Sequence, residues 1–184
     1  LMRQLATEFA GKKLLDLSDL SVGDGQPIPR ISYRDAMETY GSDKPDLRFG
    51  MELIELTDVF ASTEFGVFKN AECIKAICVK NGASLSRKQI KQFEDIATSE
   101  GAGGLPYIKY VKIKHPDEAQ GYVIPITSSD FYGYDVISPV AKFLSDKEHK
   151  LLIDTMKPED GDVVFFGADT RPVVNAVLGR LRNE

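Results

Sequence analysis

The chain has 184 residues, 42% of them hydrophobic, with 23 basic against 28 acidic side chains and a net charge of −5, which is enough apolar content for one cored domain with appended segments. No apolar run approaches the roughly 18 residues that cross a bilayer, and Leu1-Met2-Arg3-Gln4 lacks the apolar stretch of a signal peptide, so the chain is expected in the cytoplasm. The charge is uneven, with 7 basic and 11 acidic residues up to Phe60, 9 and 5 from Ala61 to His115, and 7 and 12 from Pro116 onward; a basic middle between acidic flanks fits a weak phosphate-contacting surface, and equally the ordinary solvated faces of a helix and strands.

Met2, Leu5 and Phe9 fall at helical spacing and predict the end of a helix, followed by a polar loop from Gly11 to Gln26. Leu1 ahead of Met2 is expected to be an internal boundary rather than a natural start. Ser32 to Tyr40 predicts a short helix, with Ser32 as cap, Asp35 answering it in a capping box and Gly41 as the stop. Pro45 then biases Lys44 away from helical geometry and forbids continuation. The run Tyr40-Gly41-Ser42-Asp43-Lys44-Pro45-Asp46-Leu47-Arg48-Phe49 carries four charges, a Gly and a Pro. It is too polar for a core, and reads as a charged turn or a built junction. Met51 to Ser62 predicts a strand or turn that ends as a short helix, and Phe65-Gly66-Val67-Phe68 an aromatic pair for the core.

Cys73 to Lys80 reads as a strand, in which a separation of five puts Cys73 and Cys78 on opposite faces, unable to pair or share a metal. After a turn at Asn81-Gly82-Ala83, Ser86 opens a capping box with Gln89, and Ile90, Phe93, Ile96 and Ala97 line one face of a helix that stops at Gly101. Arg87, Lys88 and Lys91 lie in its first turns on the other side. That is the positive end of the helix dipole, where each exposed cation costs some tenths of a kcal/mol, and where a phosphate gains from side chains and terminal amides together. The glycines at 101, 103 and 104 follow a helix, whereas a phosphate-binding glycine loop follows a strand and opens a helix. They are read as a stop and turn.

Leu105 to Lys114 alternates and predicts a half-exposed strand, with Tyr107 and Tyr110 read as strand tyrosines or as base-stacking platforms. His115-Pro116-Asp117 ends it, and Gly121 to Ile126 pairs back as a hairpin. A polar loop follows from Thr127 to Asp135. Ser138 to Leu144 predicts a short helix, and Ser145 with Glu148 a second capping box ahead of a helix carrying Leu152, Ile153 and Met156, with His149 read as a surface residue. Asp162 to Gly167 is an apolar strand, and Thr170 caps a helix over Arg171 to Leu181. No nucleophile, base and orienter set can be assembled. These alternations predict an α+β fold in two layers, a mostly antiparallel sheet with helices on one face.

Several of these words in order resemble bacterial-type aspartyl-tRNA synthetases: Pro29-Arg30-Ile31-Ser32-Tyr33, Gly41-Ser42-Asp43-Lys44-Pro45-Asp46-Leu47-Arg48, Gly82-Ala83-Ser84-Leu85-Ser86-Arg87, Gly104-Leu105-Pro106-Tyr107, Ser138-Pro139-Val140-Ala141, Gly161-Asp162-Val163-Val164-Phe165-Phe166-Gly167 and Leu178-Gly179-Arg180-Leu181-Arg182. The resemblance runs from about Ile28 onward. It implies that residues 1–60 lead out of the class II catalytic core, that 61–170 form the inserted GAD domain and that 171–184 return to the core. Asp43, Lys44, Asp46 and Arg48 would then form the junction, as a hinge or docking clasp.

The class II motif Phe-Arg-x-Glu and the later glycine-rich arginine motif, which grip ATP, are not found in this sequence. The resemblance therefore implies a catalytically silent portion of a homodimeric ligase whose ATP and magnesium sites lie elsewhere, with tRNA and the rest of the synthetase as its partners. Within it, Arg87, Lys88 and Lys91 are the tRNA-contact candidates, with no cofactor and no metal. The alternatives are the GAD domain of a tRNA-dependent amidotransferase subunit, and a purely structural or protein-interaction module.

Overall fold

A computed structural model describes residues 30–112 and 134–184 of the chain. The expected amino-terminal helix and loop, and the hairpin return at 121–126, lie outside the described residues. The elements, in chain order, are α1 (Tyr33–Tyr40), β1 (Ile54–Glu55), α2 (Gly66–Lys69), β2 (Cys73–Val79), a 3-10 turn (Gly82–Ser84), α3 (Arg87–Ser99), β3 (Tyr107–Lys112), β4 (Tyr134–Ile137), a second 3-10 turn (Ala141–Phe143), α4 (Asp146–Met156), β5 (Val163–Asp169) and α5 (Arg171–Leu181).

The helix starts follow from local chemistry. Ser86 Oγ and Ser145 Oγ accept from the amides of Gln89 and Glu148, and each acid or amide side chain returns a bond to its cap. Both capping boxes are as expected. At α1 only the forward half is described, Ser32 Oγ accepting from Asp35 N at 3.0 Å. Thr170 holds the cap position of α5 without a side-chain cap bond.

The sheet runs β1-β2-β5-β3-β4, with every pairing antiparallel. Strand β5 is central and pairs with β2 over its whole length, from Cys73 opposite Asp169 to Val79 opposite Val163. Strand alternation then sorts the side chains. Ile74, Ala76, Ile108, Tyr110, Val136, Val164 and Phe166 share one core with Leu152 and Met156 of α4 and with Phe60 and Phe68. Cys73, Ile77, Val163 and Phe165 share another with Ala97 of α3 and with Val174, Val177 and Leu178 of α5. The α+β class and the antiparallel sheet are those expected. The paired helices α3 and α5 form the layer on one face, and the other face has its own cover of α4 and the phenylalanine cluster, in which Phe60, Phe68 and Phe166 sit 4.7 and 5.4 Å apart in sequence.

This double cover explains where the structure departs from the sequence reading. Strand β3 alternates as expected, with Tyr107, Lys109 and Val111 half-buried, but the side carrying Ile108 and Tyr110 is fully buried, because it faces the core under α4 and the phenylalanine cluster. That burial removes Tyr110 as a base-stacking platform. His149 is not at the surface. It is buried, its Nε2 lying 3.0 Å from Ala141 O, because three- and seven-residue spacings put it on the same helical face as Leu152 and Met156. Residues 57–62 turn instead of forming a helix. There Thr57 Oγ1 accepts from Ile74 N at 3.1 Å and ties the segment to β2.

Candidate functional site

Two regions carry the expected site residues. The first is the start of α3. The loop leading into it is held from below: Lys109 Nζ donates to Ala83 O at 2.8 Å and to Leu85 O at 2.6 Å, and Asn81, in left-handed geometry, donates its amide to Asp162 Oδ1 at 3.1 Å. Asp162 is itself buried and also accepts from Glu159 N and Lys80 Nζ. Burial of the Lys109 ammonium in this bracket lowers its pKa. The bracket and the Ser86 box fix the direction in which α3 begins.

Arg87, Lys88 and Lys91 are exposed, as expected. The first turn of α3 contains no acidic residue. Lys91 pairs along its own helix with Glu94 and Asp95, each at 3.2 Å, and the Glu94 contact raises its pKa. Among the described residues neither Arg87 nor Lys88 has an ion-pair partner. Two cations therefore stand beside free helix amides, an arrangement suited to a phosphate.

The second region is the charged run after α1. Asp43 and Lys44 are exposed, and Lys44 N donates to Ser42 Oγ at 3.1 Å. Asp46 and Arg48 pair with each other: Asp46 Oδ1 accepts from the Arg48 amide at 3.0 Å and from its Nε at 2.9 Å. The guanidinium holds the Asp46 carboxyl down at about 2. The run is thus a self-paired turn in which Asp43 and Lys44 have no ion-pair partner among the described residues, and it is placed by residues that the sequence reading did not select.

Chief among them is Arg182, one residue past α5. It is buried, and donates from Nε to Met51 O at 2.7 Å and from Nη2 to Asp46 O at 3.0 Å and Gly50 O at 2.5 Å. The Tyr40 and Phe49 rings lie against its guanidinium at 4.9 and 4.8 Å, a cation–π arrangement. Burial lowers its pKa. Further along, Lys75 in the middle of β2 is 1% exposed and donates to Glu38 O at 2.9 Å, Glu38 Oε2 at 2.6 Å and Asn175 Oδ1 at 2.9 Å. Arg171 bridges Glu38 at 2.8 Å and Glu55 at 2.7 Å. The Lys75 hydrogen bond holds Glu38 below the usual carboxylate range, and Arg171 does the same for Glu55.

Sequence signals for both cations existed. Lys75 sits at two-residue spacing between Cys73 and Ile77, on the face that a strand buries. Arg182 follows Leu178 by four residues and so continues the apolar face of α5.

Neither thiol is poised for chemistry. Burial, with the Asp162 carboxylate beside it, pushes Cys78 up to about 12, and burial raises Cys73. Among the described residues no group of three or more His, Cys, Asp or Glu is placed to hold a metal, and no helix is long and apolar enough to cross a membrane.

Comparison with known proteins gives a consistent picture. A family model described as the GAD domain matches residues 66–178. The chain is 44% identical over 160 residues to an aspartate–tRNA(Asp/Asn) ligase of Aquifex aeolicus, covering 85% of this chain and 23% of that protein. It is 36% identical over 181 residues to the enzyme of that name from a Hydrogenobaculum species, covering 97% and 27%, and 42% identical over 162 residues to an aspartate–tRNA ligase of Shouchella clausii, covering 85% and 24%. The chain therefore spans about a quarter of the length of the curated relatives it matches.

Proposed function

The chain belongs to the GAD domain family, and from that premise we propose that it is the insertion-domain portion of an aspartate–tRNA ligase, serving as an accessory module that contacts tRNA. The ligase reading is supported by identities of 36 to 44% to named aspartate–tRNA ligases across most of this chain. The whole ligase activates aspartate with ATP and magnesium and transfers it to tRNA as a cytoplasmic homodimer. Magnesium and ATP are assigned to the remainder of the ligase, because the Phe-Arg-x-Glu and glycine-rich arginine motifs are not found in this sequence. We assign residues 1–60 as the lead from the catalytic core, 61–170 as the insertion and 171–184 as the return.

The observation that carries the module's role is the pair Arg87 and Lys88, exposed and without ion-pair partners at the bracketed start of α3. A phosphate there is met by two side chains and by helix amides, and the contact is electrostatic and sequence-independent. Lys91 adds to it when an approaching phosphate competes with Glu94 and Asp95, since exposed ion pairs of that kind are weak and easily exchanged. Asp43 and Lys44, at the tip of the junction, face the remainder of the ligase and take no part in bond making.

The test is a chimaera in which residues 1–184 of this chain replace the matching segment of a bacterial aspartate–tRNA ligase. Aspartyl-adenylate formation and tRNA charging are both expected to be retained, with Lys44→Ala and Arg48→Ala altering stability or tRNA kinetics and sparing adenylate formation. Loss of adenylate formation in that variant would show an active-site role for the junction. Aspartate-dependent pyrophosphate exchange above blank by the isolated chain would overturn the accessory reading.

A further inference from the structure

Arg171, Asn175, Gly179 and Arg182 recur at spacings of four, four and three along α5, which places them on one stripe of the helix. Each of the four meets the segment that follows Glu38. Arg171 holds Glu38 and Glu55, Asn175 shares Lys75 with Glu38, Gly179 lies against the backbone of Gly41, and Arg182 takes three carbonyls between Asp46 and Met51. The neighbouring face of α5 is apolar and packs on the sheet through Val174, Val177 and Leu178. The helix is therefore held on two adjoining faces, to the sheet by burial and to residues 38–55 by polar contacts.

We infer that residues 33–55, α5 and the sheet are one cooperative unit closed by a clasp at Arg182, so that any swivel between this unit and a neighbouring domain lies outside these residues. A hinge requires a few backbone positions free to absorb changes in φ and ψ. Residues 46, 50 and 51 lack that freedom, because their carbonyls share one buried guanidinium. Residue 41 lacks it as well, because its backbone is in contact with that of residue 179. The amide of Leu53 is bonded to Thr39 O at 2.7 Å, so the run from 39 to 53 closes on itself. The clasp fastens both ends of the unit in sequence at one place, which keeps the α3 cations in a fixed relation to the junction. How the unit is held together does not depend on the ligase reading; only the meaning of the swivel for a catalytic core rests on it.

Native-state hydrogen exchange on the 184-residue chain at increasing denaturant tests this directly. The amides of Gly41, Leu53 and Arg182 are expected to exchange within about tenfold of the slowest amides of β2 and β5, and to merge with them as denaturant rises, as members of one cooperative unit do. Exchange of Gly41 and Leu53 about a hundredfold or more faster than the sheet, by an opening insensitive to denaturant, would overturn the inference. In Arg182→Met, Gly41 and Leu53 are expected to accelerate at least tenfold (about 1.4 kcal/mol) more than the β2 and β5 amides, and no selective acceleration would remove Arg182 as the clasp. If that variant does not fold, the pattern in the unmodified chain decides alone.

Discussion

Gly41 and Gly179 meet backbone to backbone: a β-carbon built on either would lie 2.7 to 2.8 Å from the Cα of the other. Gly41 is also the left-handed residue that ends α1, with φ at 66°, so two separate constraints select glycine there. At Gly179, inside a helix, only the close approach does.

Gly179→Ala is the cleaner probe for that reason. Alanine favours a helix interior over glycine by about 1 kcal/mol, and a surface glycine would gain by the change. Here the methyl group meets backbone, which cannot turn aside, and overpacking of this kind costs about 1–3 kcal/mol. We expect a net loss of stability in urea unfolding, with an unchanged m-value. A gain in midpoint would show that α1 and α5 do not touch in this way.

The carboxylates around Lys75 and Arg171 set the acid limit. Glu38 and Glu55 lie below their ordinary value of 4.5 in the folded chain. Groups with depressed folded pKa contribute stability that is present above the unfolded pKa and lost as pH falls through the folded one. Stability is therefore expected to be level from pH 7 to about 5 and to fall below about 4.5. Lys75→Met is expected to lower stability at pH 7 by about 1–3 kcal/mol, since it deprives three acceptors of a charged donor, and to flatten the acid decline. Chemical unfolding measured from pH 3 to 8 in both proteins checks the sign.

Cys73 and Cys78 are expected to be inert thiols. With Cys78 near 12 and Cys73 raised, the nucleophilic thiolate is scarce at pH 8. Reaction with a disulfide reagent should be about a hundredfold or more slower in the folded chain than in denaturant. Stability should decline above about pH 9, where the unfolded thiols ionise and the folded ones do not. Rapid labelling of the native chain would contradict the burial assigned to them.

Local chemistry was the legible part of this fold. The pairs Ser86 with Gln89 and Ser145 with Glu148, the stop at Gly41 and the alternation that parts Cys73 from Cys78 each depend on residues close in sequence. What escaped depends on partners far away. The spacing of Lys75 signals its face but not its partners, Glu38 and Asn175, which lie 37 and 100 residues distant. Arg182 reads as a helix-end cation until its three carbonyls are placed more than 130 residues upstream. Exposure of Tyr110 and His149 was misread because alternation and helical spacing tell which face a residue takes, not whether a second layer covers it. At the start of α3 the exposure of Arg87 and Lys88 was legible from helical spacing, and the pairing of Lys91 with Glu94 and Asp95 is equally local, whereas the Lys109 bracket belongs to tertiary structure.

The start of α3 is tested most directly by measuring tRNA binding of the chain across a range of salt. Binding is expected to be weak, about 10⁻⁴ to 10⁻⁶ M or weaker, with a log–log slope near −2 from two or three phosphate contacts at roughly 0.7 to 0.9 each. Arg87→Glu with Lys88→Glu should abolish it and leave the fold intact, because carboxylates suit the first helical turn better than cations do, while Lys91→Glu alone should cost less than either. Equal tRNA affinity of the double variant and the parent chain at low salt would contradict the account and leave the module a structural one.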